Sequence, residues 1–127
     1  MSDVEWARHI GKSLSTTEIC RELDLDPIGL EVAVRWLRVL RVVTDDGRHI
    51  YPAWQINRGA VVHGLRPVLE TLRTGADDPW SWALWLHSDV RDDDGGDGRR
   101  RQIDDLAAGD VAGVLRRATR VATDWAD

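Results

Sequence analysis

Helix starts are clearly marked in this sequence, and their spacing confines the chain to short helices. Ser15 followed by Glu18 is a capping box, in which the serine oxygen accepts from an orphan N–H while the glutamate reaches back to the cap. Asp26-Pro27 and Asp78-Pro79 each set a capping carboxylate before a proline whose fixed φ suits a first helical turn. Asp110 caps a last segment. The marks predict a helix from about Thr16 with Ile19, Leu23 and Cys20 on its apolar side, a turn at Asp24-Leu25-Asp26, and a second helix over about 27–40. Between that helix and the next, Arg41-Val42-Val43-Thr44, Asp45-Asp46-Gly47 and Arg48-His49-Ile50-Tyr51 read as a β-hairpin, because Asp-Gly supplies the positive φ of a tight turn. Two helices, a turn and a hairpin are the layout of a winged helix.

Beyond Tyr51 the pattern becomes helical throughout. Leu65, Val68, Leu69 and Leu72 fall at i, i+3, i+4 and i+7 and predict an amphipathic helix over 65–73, ended near Gly75. After Pro79 come Trp80, Trp82, Leu84, Trp85 and Leu86, apolar on nearly every side, so this helix is expected to be the most buried element. Residues 88–98 carry five aspartates and three glycines without periodicity and read as a mobile loop. Ile103 and Leu106 anchor a short helix. Val111, Val114, Leu115, Ala118, Val121, Ala122 and Trp125 then form the stripe of the last one, with Arg116, Arg117 and Arg120 opposite. The expected fold is mainly α: a helix-turn-helix lobe with a small hairpin wing over 1–51, then a helical lobe over 52–127.

Size and charge bound the function. A chain of 127 residues with 43% hydrophobic side chains suits one domain or two small lobes sharing a core, and excludes a large multidomain enzyme. It should bury roughly two-thirds of its unfolded surface, enough to fold without a disulfide, which a single cysteine could not form internally. No apolar run is long enough to span a bilayer, and Met1-Ser2-Asp3-Val4-Glu5 lacks the layout of a signal peptide, so a cytoplasmic location is expected. Net charge is −5, and neither half is basic: residues 1–51 hold seven Lys/Arg against nine Asp/Glu, and 52–127 hold ten against thirteen. A nonspecific nucleic-acid coat is therefore excluded, and any DNA contact must rest on a small patch.

Catalytic and metal signatures fail on spacing. Gly11-Lys12-Ser13 resembles the end of a phosphate-binding loop, but Trp6 stands where its first glycine belongs. Counting a calcium loop from Asp92 puts Gly96 at the fifth ligand position and Ile103 where a bidentate glutamate is needed. His9, His49, His63 and His87 are scattered, with no pair spaced to grip a metal, so neither metal nor cofactor is expected. Cys20 reads as a buried inert thiol, and Asp77-Asp78 and Asp104-Asp105 as caps rather than acid–base pairs. Nothing argues positively for an enzyme.

Two groups of arginines are candidates for binding. On the second helix Leu30, Ala33, Val34, Leu37 and Leu40 make one apolar face, and Val32, Trp36 and Val39 another, so the helix looks sandwiched. Its polar strip is Glu31, Arg35 and Arg38, with Glu31 and Arg35 spaced as an i,i+4 pair. With Arg41 and the hairpin's Arg48, Arg35 and Arg38 could alternatively contact DNA phosphate. Arg99-Arg100-Arg101 can be a solvated turn balancing nearby acid or a patch gripping carboxylate or phosphate. Trp54, Trp82 and Trp85 read as core, and Trp125 as an exposed anchor.

The succession Tyr51-Pro52-Ala53-Trp54-Gln55, Gly64-Leu65 with Val68-Leu69, Asp78-Pro79-Trp80 with Trp85-Leu86, Gly98-Arg99-Arg100, Ile103-Asp104, Leu106, Gly109-Asp110 and Val114-Leu115 resembles the toxin-binding domain of Xre/MbcA/ParS-type antitoxins, over roughly residues 51–122. Gln102 stands where that family often has proline. The resemblance implies an antitoxin that blocks a RES-type, NAD-consuming toxin, dimerises, and represses its own operon by binding operator DNA. It would make Arg99, Arg100, Arg116, Arg117, Arg120 and Trp125 the toxin-facing residues, with Arg117 and Arg120 replaceable by Glu without unfolding. The alternative is a stand-alone dimeric DNA-binding regulator, with Arg35, Arg38, Arg41 and Arg48 as its DNA contacts.

Overall fold

The computed structural model describes residues 9–90 and 100–127. The greater part of the expected acidic loop, and Arg99 with it, lies outside the described residues. The described chain is mainly helical, with small antiparallel sheets. Strand β1 (Ser13–Leu14) leads into α1 (Thr16–Leu23) and α2 (Pro27–Arg35), followed by β2 (Val42–Val43) and β3 (His49–Pro52). A one-turn 3-10 helix (Ala53–Gln55) and the hairpin β4 (Ile56–Asn57) and β5 (Ala60–Val61) connect to α3 (Leu65–Gly75), α4 (Pro79–Leu86), α5 (Gln102–Ala107) and α6 (Val111–Ala126).

The helix starts form as the sequence marks them. Ser15 Oγ accepts from the Glu18 N–H at 3.1 Å while Glu18 accepts from the Ser15 N–H at 2.9 Å, and Asp26 accepts from Gly29 at 2.6 Å. The hairpin also forms, with Val42 opposite Ile50, Val43 opposite His49, and Gly47 at φ +83° in the turn. A third strand was not anticipated: β1 pairs antiparallel with β3, Leu14 opposite Tyr51, so β3 runs down the middle of the sheet in the order β1-β3-β2.

The second helix stops earlier than its periodicity predicts. It ends at Arg35 with Leu37 in the left-handed region at φ +60°, the Leu37 N–H bonded to the Val34 carbonyl and the Arg38 N–H to the Ala33 carbonyl. Those two bonds are the Schellman stop, made here without its usual glycine at a cost of about 1–2 kcal/mol. Buried Gln55 helps offset that cost. Its amide accepts from the Leu40 N–H at 2.8 Å and donates to the Leu40 carbonyl at 2.9 Å, fixing Leu40 against the one-turn 3-10 helix.

Two clusters form the interior. The smaller joins Leu14, Ile19, Leu30, Val39 and Tyr51. The larger draws Ile10, Leu40, Val42 and Ile50 from before residue 52 and Leu65, Val68, Leu69, Leu72, Leu86, Leu106 and Val114 from after it, so the two lobes share one core. Its centre is α3, whose four apolar residues are buried, rather than α4, where Leu84 is 42% exposed. The tryptophans explain the reversal. An indole N–H needs an acceptor, so Trp80 reaches the Val43 carbonyl and Trp82 the Ala76 carbonyl, both at 2.8 Å, and α4 is held at the edge of the core. No helix among the described residues is long and apolar enough to cross a membrane.

Helices α3 and α6 make the most extensive contact in the molecule, and at Gly75 the backbone of Ala122 occupies the space a Cβ would need. Gly75→Ala is expected to lower the unfolding free energy by about 1–3 kcal/mol through overpacking, measured by urea denaturation. A wild-type midpoint would show that the two helices are free to separate.

Candidate nucleic-acid interface

The early stop of α2 decides what that helix presents to solvent. Val39 has left the helix and is buried in the smaller cluster, whereas Val32 and Trp36 are 47% and 55% exposed, and Ile28, one turn earlier, is 77% exposed. The expected sandwich is therefore absent within the described chain: Leu30 seals the inner face, and the outer face stands open. Glu31 and Arg35 share this outer face, and Arg38 is exposed just beyond the stop. A cleft of about 510 Å³ runs beside them, walled by Ile28, Val32, Val34, Arg35 and Trp36.

Charge on this face is partly tied down. Glu31 does not pair with Arg35; its Oε1 accepts from Arg41 Nη1 at 2.6 Å, and that hydrogen bond holds its carboxyl below the usual carboxylate range. Arg41 is half-buried as a consequence, which leaves Arg35 and Arg38 as the outward cations of the α2 region. Arg48 is exposed on the hairpin. In the turn, Thr44 Oγ1 accepts from the Arg48 N–H at 3.0 Å and donates to the Asp46 carboxylate, so the tip is ordered but acidic.

The C-terminal arginines divide differently. Asp105, 7% exposed, accepts from Arg117 Nη2 at 2.8 Å on one carboxylate oxygen and pairs with Arg100 on the other. Arg117 Nε also donates to buried Gln102 at 2.8 Å. Arg117 thus clamps α5 to α6. The expectation that it can be reversed in charge without structural cost is corrected: glutamate there would face a buried carboxylate. Trp125 is likewise half-buried against the large core, not an exposed anchor, because the apolar stripe of α6 continues through it. Arg116 and Arg120 remain exposed on α6.

Sequence reasoning missed a second cluster, between the lobes. His87 at the end of α4 stacks on Trp54 with ring centroids 6.3 Å apart, and the Trp54 indole donates to the Ile10 carbonyl at 2.8 Å. Arg101 Nη1 lies 2.8 Å from His87 Nδ1. Burial, and then the Arg101 charge, hold His87 below the usual imidazole range, with Asp104 and Asp89 opposing. Three residues distant in sequence meet here, and no local pattern announces them. Among the described residues no group of three His, Cys, Asp or Glu side chains converges to hold a metal.

No protein-family model matches this chain, and no curated protein is similar to it. Among solved structures, its fold is shared by the NMR structure of Rv2175c, with a TM-score of 0.73 at 22% identity. The likeness covers 87% of this chain and 81% of the other, so it embraces both lobes.

The clamp carries its own test. Arg117→Glu is expected to destabilise the fold by about 2–4 kcal/mol, since it removes one of the two arginines that hold buried Asp105 and sets a second carboxylate beside it, while exposed Arg116→Glu should change stability by no more than about 0.5 kcal/mol. Equal denaturation midpoints for the two variants would contradict the clamp.

Proposed function

We propose that this protein is a DNA-binding regulator of the winged helix-turn-helix class, acting in the cytoplasm as a homodimer. In this reading α1 and α2 are the helix-turn-helix, α2 the recognition helix and the β2–β3 hairpin the wing. One observation carries it: β3 pairs with β1 on one side and β2 on the other, while α2 turns an entire face outward instead of burying it. A helix that packs on one side and is bare on the other, with Arg35 and Arg38 at its outer edge, can lie in a major groove about 12 Å wide. The acidic net charge then requires that affinity come from few phosphate contacts and from base reading.

A second reading, the toxin-blocking role implied by the family resemblance, has the exposed Arg116 and Arg120 in its favour, one helical turn apart on α6. Of the other residues it would use, Arg100 and Arg117 are engaged by Asp105 and Trp125 packs on the core. The regulator reading therefore leads.

Binding of the full chain to fragments of its own upstream region, followed by fluorescence anisotropy at several salt concentrations, tests it. The slope of log affinity against log salt is expected to be shallow, about −2 to −4 per chain, as a few neutralised phosphates require. Arg35→Glu with Arg38→Glu should weaken binding at least about tenfold and flatten the slope by about 2. An unchanged slope, or no duplex binding at all, would overturn the reading.

A further inference from the structure

We infer that His87 is a proton-operated latch between the two lobes: its neutral ring accepts a hydrogen bond from Arg101 and closes the joint, and protonation expels the Arg101 guanidinium and loosens it. Of the four histidines, His9, His49 and His63 are exposed, while His87 is half-buried where three segments of the chain meet. Its ring lies on Trp54, whose indole N–H is held by the Ile10 carbonyl. Gly11, at φ +74°, closes it in on another side, so near that a Cβ there would stand 3.1 Å from His87 Cε1. The Arg101 guanidinium arrives from the start of α5, with Nη1 2.8 Å from His87 Nδ1 and in contact with Nε2 as well.

Because Arg101 Nη1 reaches both ring nitrogens, whichever of them lacks a proton serves as the acceptor. The imidazolium has no such nitrogen: both carry hydrogens, and a second cation then stands against the guanidinium where water is partly excluded. Arg101 opposes the added charge, while Asp104 in the first turn of α5 and Asp89, opposite Arg101 in the bridge that precedes α5, favour it. Lys12, beside Gly11, is exposed, and neither α4 nor the 3-10 helix carries a charged residue. Burial and Arg101 outweigh the two carboxylates, so the ring stays neutral below the usual imidazole range. Asp104 is also engaged elsewhere, accepting from the Arg101 backbone N–H at 2.9 Å. The face of Trp54 accommodates either charge state, because a cation over an indole is itself attracted, so the Arg101 contact is the part that opens.

Arg101 is the residue before α5, and the Ser88 carbonyl, next to His87, accepts from the Gln102 N–H at 3.0 Å. Release of the Arg101 side chain therefore loosens the start of α5 together with the seat of the His87 ring on Gly11 and Trp54. The sign of the pH dependence follows. His87 takes up its proton at lower pH in the folded chain than in the unfolded one, so the full stability stands above about pH 6.5 and falls as the pH drops from there through the midpoint of folded His87.

Titration of the imidazoles of the labelled full chain by NMR tests the latch. The His87 ring should titrate below free histidine in the same buffer, and the Trp54 indole N–H and Arg101 Nε–H signals should shift with the same midpoint. Arg101→Gln, which keeps a donor and removes the charge, should raise that midpoint. In urea denaturation, His87→Gln should lose less stability than the wild type between about pH 7 and about pH 5, since it cannot take up the proton. Should either variant fail to fold by circular dichroism, the wild-type titration decides alone. A His87 midpoint at or above that of free histidine, or Trp54 and Arg101 signals that stay still while His87 titrates, overturns the inference. So does an unchanged midpoint in folded Arg101→Gln, or a folded His87→Gln that loses as much stability on acidification as the wild type.

Discussion

The interaction on which the rest of the structure depends is the buried stripe of α3. Leu65, Val68, Leu69 and Leu72 are all essentially inaccessible, and they lie in one cluster with the hairpin's Val42 and Ile50 and with Val114 and Ala118 of α6. Because residues from before and after position 52 share this cluster, the larger core belongs to both lobes. Gln55 adds a directional constraint to this non-directional attraction. Its bonded amide fixes Leu40, three residues beyond the left-handed Leu37 that ends α2.

That ending point links fold to surface. Had α2 continued to residue 40, Val39 would have extended the second apolar side and the helix would have needed a cover. With the stop at Leu37, Val39 turns inward, and Ile28, Val32 and Arg35 keep a free face between the hairpin and the solvent. At the other end of the molecule the same economy of charge has a different outcome: Asp105 draws Arg100 and Arg117 into the joint between α5 and α6, so arginines that look available in the sequence are structural.

What the sequence makes legible follows from the range of the forces involved. Caps, the Asp-Gly turn and the 3.6-residue stripe of α3 are local, and all of them form where the residues place them. The end of α2 is not local, because the residue in the left-handed position is leucine rather than glycine and the compensating hydrogen bonds run from Leu40 to Gln55, fifteen residues beyond Leu40. Strand β1 is two residues long and exists only because β3 offers it an edge. Burial of α4 was overestimated because hydropathy counts an indole as apolar, whereas its N–H seeks an acceptor near the surface. Of the candidate site, Arg35 and Arg38 are exposed as their place on the polar strip predicts, but the exposed Ile28 lay outside both apolar faces drawn on the wheel, and the Arg41–Glu31 pairing spans ten residues that periodicity does not connect.

The most direct test of the central claim, that the open face of α2 is the working surface, is a map of backbone amide chemical shifts during titration of the labelled full chain with duplex DNA from its own upstream region. The claim requires the largest perturbations at residues 27–38 and on the β2–β3 hairpin, with α6 little affected. Perturbations concentrated around Arg116 and Arg120, or none at saturating duplex, would contradict it.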